Sequence, residues 1–119
     1  MNAPSEIGID VVDIERLSNI TRQTEFFIER WFHACEYKFS VDRLAGSLAA
    51  KKAMYKSLGG RIYIPPKHIF LRHDERGKPN LCLDSRSAHL LEQHCFSVSI
   101  TYTERLAFAA VLTSFREGI

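Results

Sequence analysis

The stretch from Leu44 to Gly59, LAGSLAAKKAMYKSLG, constrains the fold more than any other part of the chain. Leu44, Ala45, Leu48, Ala49, Met54, Tyr55 and Leu58 give a helix beginning at Asp42 an almost continuous apolar side. Gly59-Gly60 supplies its stop. The small residues Ala45, Gly46, Ala49, Ala50 and Ala53 let another backbone approach closely, as when a helix lies on a sheet.

The flanking segments supply that sheet. Ile7 to Val12 is β-branched and apolar and reads as a buried strand, with Asp13 or Ser18 available to cap the helical region after it. From Thr21 to Phe32 the residues Phe26, Phe27, Ile28, Trp31 and Phe32 recur at helical spacing opposite Glu25, Glu29 and Arg30, which predicts one amphipathic helix with Trp31 in the core. Pro65-Pro66 marks a rigid connector. His68 to His73 and Asn80 to Leu83 form a predicted hairpin across Asp74 to Pro79, and Ser85 to Gln93 a short helix capped by Ser85 or Ser87. Phe96, Val98, Ile100 and Tyr102 alternate with polar residues as a half-buried strand does, and Leu106 to Leu112 reads as a buried central strand. This order predicts an α+β fold in which an antiparallel-rich sheet packs on a long central helix.

With 119 residues, 45% of them hydrophobic, the chain suits a single domain with its own core. No apolar run approaches the roughly 20 residues of a membrane span, and none resembles a secretory signal, so the expected location is the cytoplasm. Cys35, Cys82 and Cys95 lack metal-site spacing and are expected as reduced, largely buried thiols. A net charge of +2 does not favour nucleic-acid binding, although Arg16, Arg22 and Arg30 recur along the first helical region.

Four landmarks occur together in one order. They are Ile7-Gly8-Ile9-Asp10-Val11-Val12-Asp13, the central helix, the Gly77-Lys78-Pro79 turn, and Val98-Ser99-Ile100-Thr101-Tyr102-Thr103 with its apolar sequel. In this order the chain resembles the holo-acyl-carrier-protein synthases, the short bacterial 4′-phosphopantetheinyl transferases. The resemblance implies that family's fold, and transfer of the 4′-phosphopantetheine arm of coenzyme A to a serine of an acyl carrier protein. It also implies a homotrimer with active sites between subunits. In the family an aspartate and a glutamate hold a magnesium ion on the pyrophosphate, as suits a cation that takes oxygen ligands at about 2.0–2.1 Å.

Three positions depart from the family pattern. Lys52 stands where the glutamate belongs, Tyr102 replaces a histidine, and Ser47 replaces an arginine. The resemblance therefore implies catalytic positions at Asp10, Lys52, Lys56 and Tyr102, with Asp10 as the remaining magnesium-ligand position and Asp13 as a further acidic contact. Lys52 is expected to pair with Asp10 in the metal's place. Coenzyme contacts are implied at Lys51, Lys56, Gly59, Gly60, Arg61, Gly77, Lys78, Pro79, Ser99, Thr101 and Thr103, and carrier docking at Arg16, Arg22 and Arg30. Without the resemblance, Lys52 is a snorkelling surface lysine, Tyr102 a packing residue and the glycine turn only a turn. Two functions stay open: a divergent transferase not reliant on magnesium in the family's manner, and a catalytically inactive homologue that binds carrier protein or coenzyme A or has an altered reaction.

Overall fold

The computed structural model describes residues 5–116. Strand β1 (Ser5–Asp13) leads into helices α1 (Ile14–Gln23) and α2 (Glu25–Trp31), a 3-10 turn at Ala34–Glu36, and the long helix α3 (Val41–Leu58). After a 3-10 turn at Pro66–His68 come β2 (Ile69–His73) and β3 (Pro79–Leu83), then a 3-10 turn at Ala88–Glu92, β4 (His94–Tyr102) and β5 (Leu106–Phe115). One antiparallel sheet has the order β1-β5-β4, and β2 pairs with β3 in a separate hairpin. No helix among the described residues is long and apolar enough to cross a membrane.

Helix α3 lies on the inner face of the three-stranded sheet. Ser40 caps it by accepting a hydrogen bond from the Arg43 N–H at 3.4 Å, and Gly59 ends it at φ 59°, a left-handed conformation that favours glycine. Ala45, Ala49, Ala50 and Ala53 are fully buried. Contact with β1 is so close that a Cβ on Gly8 would stand 2.0 Å from the Ala53 carbonyl oxygen.

The register orders the inner face in rows across the strands. Gly8, Val111 and Val98 form one row, Asp10, Ala109 and Ile100 the next, and Val12, Ala107 and Tyr102 a third.

Several expectations are corrected. The region read as one helix from Thr21 to Phe32 is two, because Thr24 adopts extended geometry (φ −149°, ψ 123°) between α1 and α2. β1 is buried on one face only: Ile7 and Ile9 are 64% and 60% exposed, and Leu112 beside them on β5 is exposed too. Only the inner face meets α3, so strand periodicity sends the alternate side chains outward. The same alternation exposes Cys95, and Cys35 is also exposed on its 3-10 turn, so the three free thiols are not a buried set. Ser87 makes no side-chain cap, because its hydroxyl pairs with His68 Nδ1 at 2.9 Å.

Gly8→Ala drives a methyl group against main chain that has no rotamer with which to yield. Its expected cost is at the upper end of the 1–3 kcal/mol range for overpacking, roughly 3 kcal/mol, read as a lower urea midpoint with an unchanged slope.

Candidate active site

Adjacent lysines on α3 have opposite fates, because successive helical residues point about 100° apart. Lys51 turns inward. Its ammonium donates to Glu36 Oε1 at 2.5 Å and to the Trp31 carbonyl at 2.8 Å, and both charged side chains are fully buried. Glu36 is otherwise saturated: Oε1 accepts from the His33 N–H at 3.1 Å, and Oε2 accepts from the Leu71 N–H at 3.1 Å and from the Ser47 hydroxyl. Burial lowers the Lys51 pKa, and the Glu36 carboxylate opposes that shift. This overturns the reading of Lys51 as a coenzyme contact, since an ammonium enclosed by these acceptors has no path to a phosphate.

Lys52 and Lys56 face the other way, one helical turn apart on one face. Both reach Asp10 of β1, Lys52 Nζ standing 3.4 Å from Oδ2 and Lys56 Nζ 3.4 Å from Oδ1. Lys56 also donates to the Ile9 carbonyl at 3.1 Å. Asp10 is only 11% exposed, whereas Lys52 and Lys56 are 44% and 59% exposed. Asp10 Oδ2 is buried and accepts no hydrogen bond. The expected Asp10–Lys52 pair is present, with a second ammonium on the same carboxylate.

This donor set does not fit a magnesium ion. Among the described residues the cluster gathers one carboxylate, Asp10, and an ammonium stands 3.4 Å from each of its oxygens. Asp13 caps α1 by accepting the Arg16 N–H at 3.0 Å through Oδ1, and it stands on the lining of the groove that Lys52 also reaches. Two unit charges about 4 Å apart interact by about 4 kcal/mol at an effective dielectric near 20, and a divalent ion doubles this against each ammonium before screening by solvent. A metal on Asp10 meets an ammonium beside either carboxylate oxygen.

Lys52 also lines a groove of about 410 Å³ between β1, α3 and the first two helices. Leu17, Trp31, Leu48 and Leu106 form apolar walls, and Arg16 stands on the same lining. Trp31 is partly buried there rather than enclosed in the core. Arg22 folds back on its own helix, donating to the Ser18 hydroxyl and to Asn19 Oδ1, each at 3.2 Å. Arg30 lies in the last turn of α2.

Tyr102 packs over α3 near its start. A Cβ on Gly46 would lie 2.1 Å from the Tyr102 hydroxyl, so the absent side chain makes room for the phenol. Burial is the main cause that pushes the phenol above its ordinary pKa, and Asp42 adds to it against Arg43. At neutral pH the phenol therefore keeps its proton. Within one chain it stands apart from Asp10: β5 lies between their strands, a separation of about 10 Å at two strand spacings.

The remaining predicted contacts are dispersed. Ser99 and Thr101 are exposed on β4 and, by strand alternation, face away from the side that carries Asp10. The Thr103 hydroxyl accepts from the N–H groups of Arg105 and Leu106, at 3.2 and 3.0 Å, and shapes the β4–β5 turn. Gly77, Lys78 and Pro79 belong to the separate β2–β3 hairpin, where Asp74 Oδ1 accepts from the Lys78 N–H at 2.9 Å. Gly59 and Gly60 have positive φ beyond α3, and Arg61 pairs with Glu6 at 3.7 Å and covers the Phe115 ring. Glu36 escaped the sequence reading. Two signals for it existed: the His33–Glu36 spacing of a capping box, and a lysine set among alanines that calls for a buried carboxylate.

Comparison with known proteins adds a lineage. The family described as the 4′-phosphopantetheinyl transferase superfamily matches residues 6–110. The holo-[acyl-carrier-protein] synthase of Baumannia cicadellinicola subsp. Homalodisca coagulata is 35% identical, over 95% of this chain and 84% of its own length. That of Clostridium botulinum (strain Eklund 17B / Type B) is 33% identical, over 88% of this chain and 94% of its own. The Helicobacter pylori holo-[acyl-carrier-protein] synthase, solved in complex with coenzyme A, superposes with a TM-score of 0.76 at 27% identity, over 91% of this chain and 99% of its own.

Removing one partner of the buried pair strands the other charge. Glu36→Gln is expected to cost about 3–5 kcal/mol, and the double variant Glu36→Gln/Lys51→Met less than that single change. Urea denaturation of the three proteins checks both statements.

Proposed function

The chain belongs to the 4′-phosphopantetheinyl transferase superfamily, and from that membership we propose that it moves the 4′-phosphopantetheine arm of coenzyme A onto a serine of an acyl carrier protein. The observation that carries this reading is the shared groove, in which Lys52 from the cationic cluster and Arg16 from the docking helix line one cavity. A carrier serine brought in past Arg16 arrives beside groups suited to hold a diphosphate.

The reaction breaks the bond from the β-phosphorus to the bridging oxygen and forms a bond from the serine oxygen to that phosphorus. Adenosine 3′,5′-bisphosphate departs. A loose phosphoryl-transfer transition state asks mainly for positioning and charge stabilisation. Lys52 and Lys56 bind and orient the diphosphate oxygens and stabilise the charge that grows on the leaving group. Tyr102 is no base at neutral pH, so the serine proton ends on the departing bisphosphate. Magnesium in relatives of this kind would supply Lewis acidity.

The reading includes a homotrimer acting in the cytoplasm. Exposed Ile7, Ile9, Val11 and Leu112 form an apolar sheet face of the kind that marks an interface. Tyr102 and Asp10 occupy opposite edges of that sheet, which supports a site completed by a neighbouring copy. Free Cys35, Cys82 and Cys95 suit a reducing compartment. The neutral Tyr102 phenol favours the second reading, a homologue that binds coenzyme A and carrier protein without transfer.

Intact-mass measurement of apo acyl carrier proteins incubated with this protein and coenzyme A separates the two readings. A gain of one phosphopantetheine is expected; no gain on any carrier that an active synthase modifies refutes the transferase reading. Arg16→Glu is expected to raise the carrier KM about tenfold while leaving kcat nearly unchanged, the signature of a lost docking charge. Sedimentation should report a trimer for the parent protein and smaller species for Ile9→Asp, which places a charge on the apolar sheet face.

A further inference from the structure

We propose that Lys52 and Lys56, held on Asp10, form a cationic cradle that binds the diphosphate of coenzyme A without any divalent ion. The inference rests on the reading of coenzyme A as substrate and concerns how that substrate is held.

Charge comes first. One carboxylate faces two ammoniums, so the cluster keeps one formal positive charge. Among the described residues neither lysine pairs with a second acid. Asp10 lies deep and the lysines stand outward, so the excess positive charge faces solvent, where an anion can meet it. A cluster with surplus positive charge attracts a dianionic diphosphate and repels a divalent cation.

Geometry then fixes where the anion sits. Lys52 and Lys56 project from one face of a helix whose opposite side is seated on the core. Lys56 is anchored twice, to Asp10 and to the Ile9 carbonyl. Asp10 thus gathers two long side chains that would otherwise spread in solvent, which lowers the entropy lost when a ligand binds them. Since Lys52 also lines the groove with Arg16, an anion on the cradle lies at the edge of the carrier path.

The chemistry of an ammonium limits what the cradle does. It offers a point charge and three donors, so it can hold phosphate oxygens, but it is no Lewis acid and activates no water. Metal removal should therefore leave coenzyme binding intact.

Calorimetric titration of the full chain with coenzyme A, in magnesium and in chelator, tests this directly. The Kd is expected to agree within about twofold between the two buffers. Lys52→Gln should weaken binding at least about tenfold in chelator, with no recovery on adding magnesium. Lys52→Glu should fail to bind in chelator and regain affinity with magnesium, because a second carboxylate rebuilds an oxygen site for the metal. Lys52 is partly exposed, and thermal melts of both variants check that folding is retained. A tenfold loss of parent affinity in chelator overturns the cradle, as does unchanged affinity in Lys52→Gln or absence of coenzyme binding in both buffers. Metal-free, Lys52-dependent binding without mass gain on any carrier supports the cradle and refutes the transferase reading. Transfer accompanied by metal-requiring binding does the reverse.

Discussion

The contact on which this structure depends is the approach of α3 to β1 at Gly8. With no Cβ there, the Ala53 carbonyl stands where a side chain would be, and the helix comes down almost to backbone contact. The fully buried alanines of α3 continue the same close seat along its length. Its consequence appears two residues along the strand. Because the helix is so near, Lys52 and Lys56 overlap the inner edge of β1 and both reach one aspartate. A helix held at ordinary distance by larger side chains would leave those ammoniums in solvent. At the other end of α3, Gly46 plays a comparable role for the Tyr102 ring.

A second buried constraint orients the helix about its axis. Glu36 joins Lys51 and Ser47 of α3 to the Leu71 N–H of β2 and the His33 N–H of the preceding turn, using both carboxylate oxygens. A charge pair with this many partners adds little net stability over an apolar substitute, but it permits one rotation of the helix. That rotation sends Lys51 inward and Lys52 toward Asp10. The buried pair is therefore a positioning device for the exposed one, although the two share no atom.

Much of the fold was legible because it rests on local rules. The extent of α3 follows from its apolar side and its glycine stop, and the β2–β3 hairpin follows from turn residues between short apolar runs. The missed features depend on what each element faces. β1 reads as fully buried since Ile7, Ile9 and Val11 are apolar, yet nothing in the strand says that only one sheet face meets a helix. The break at Thr24 was hidden because the apolar spacing runs straight across it, while a β-branched residue with weak helix propensity extends the backbone. The site divides in the same way. Lys51 and Lys52 are identical in type and adjacent in sequence, and the carboxylate that takes each lies 15 or 42 positions away. Resemblance marked both as near the coenzyme; only the fold separates the core lysine from the surface one.

That separation bears on what a lysine at position 52 does to the charge of the site. An aspartate, a glutamate and a divalent cation sum to zero formal charge, and so do Asp10 and Lys52. Lys56 adds the same positive charge to either sum. The formal charge offered to a diphosphate is thus the same in the two arrangements, carried in one by a diffusible ion and in the other by a covalently tethered side chain. A tethered charge is always at hand and needs no free-ion supply. A metal contributes more to the chemical step, because it polarises phosphoryl oxygens as a Lewis acid. Under the proposed cradle, substitution at this one helical position would act unequally on the two halves of the function, sparing recognition of the coenzyme and drawing on the transfer step. Ligand-holding and catalysis, which one ion would serve together, would then be separable in this chain.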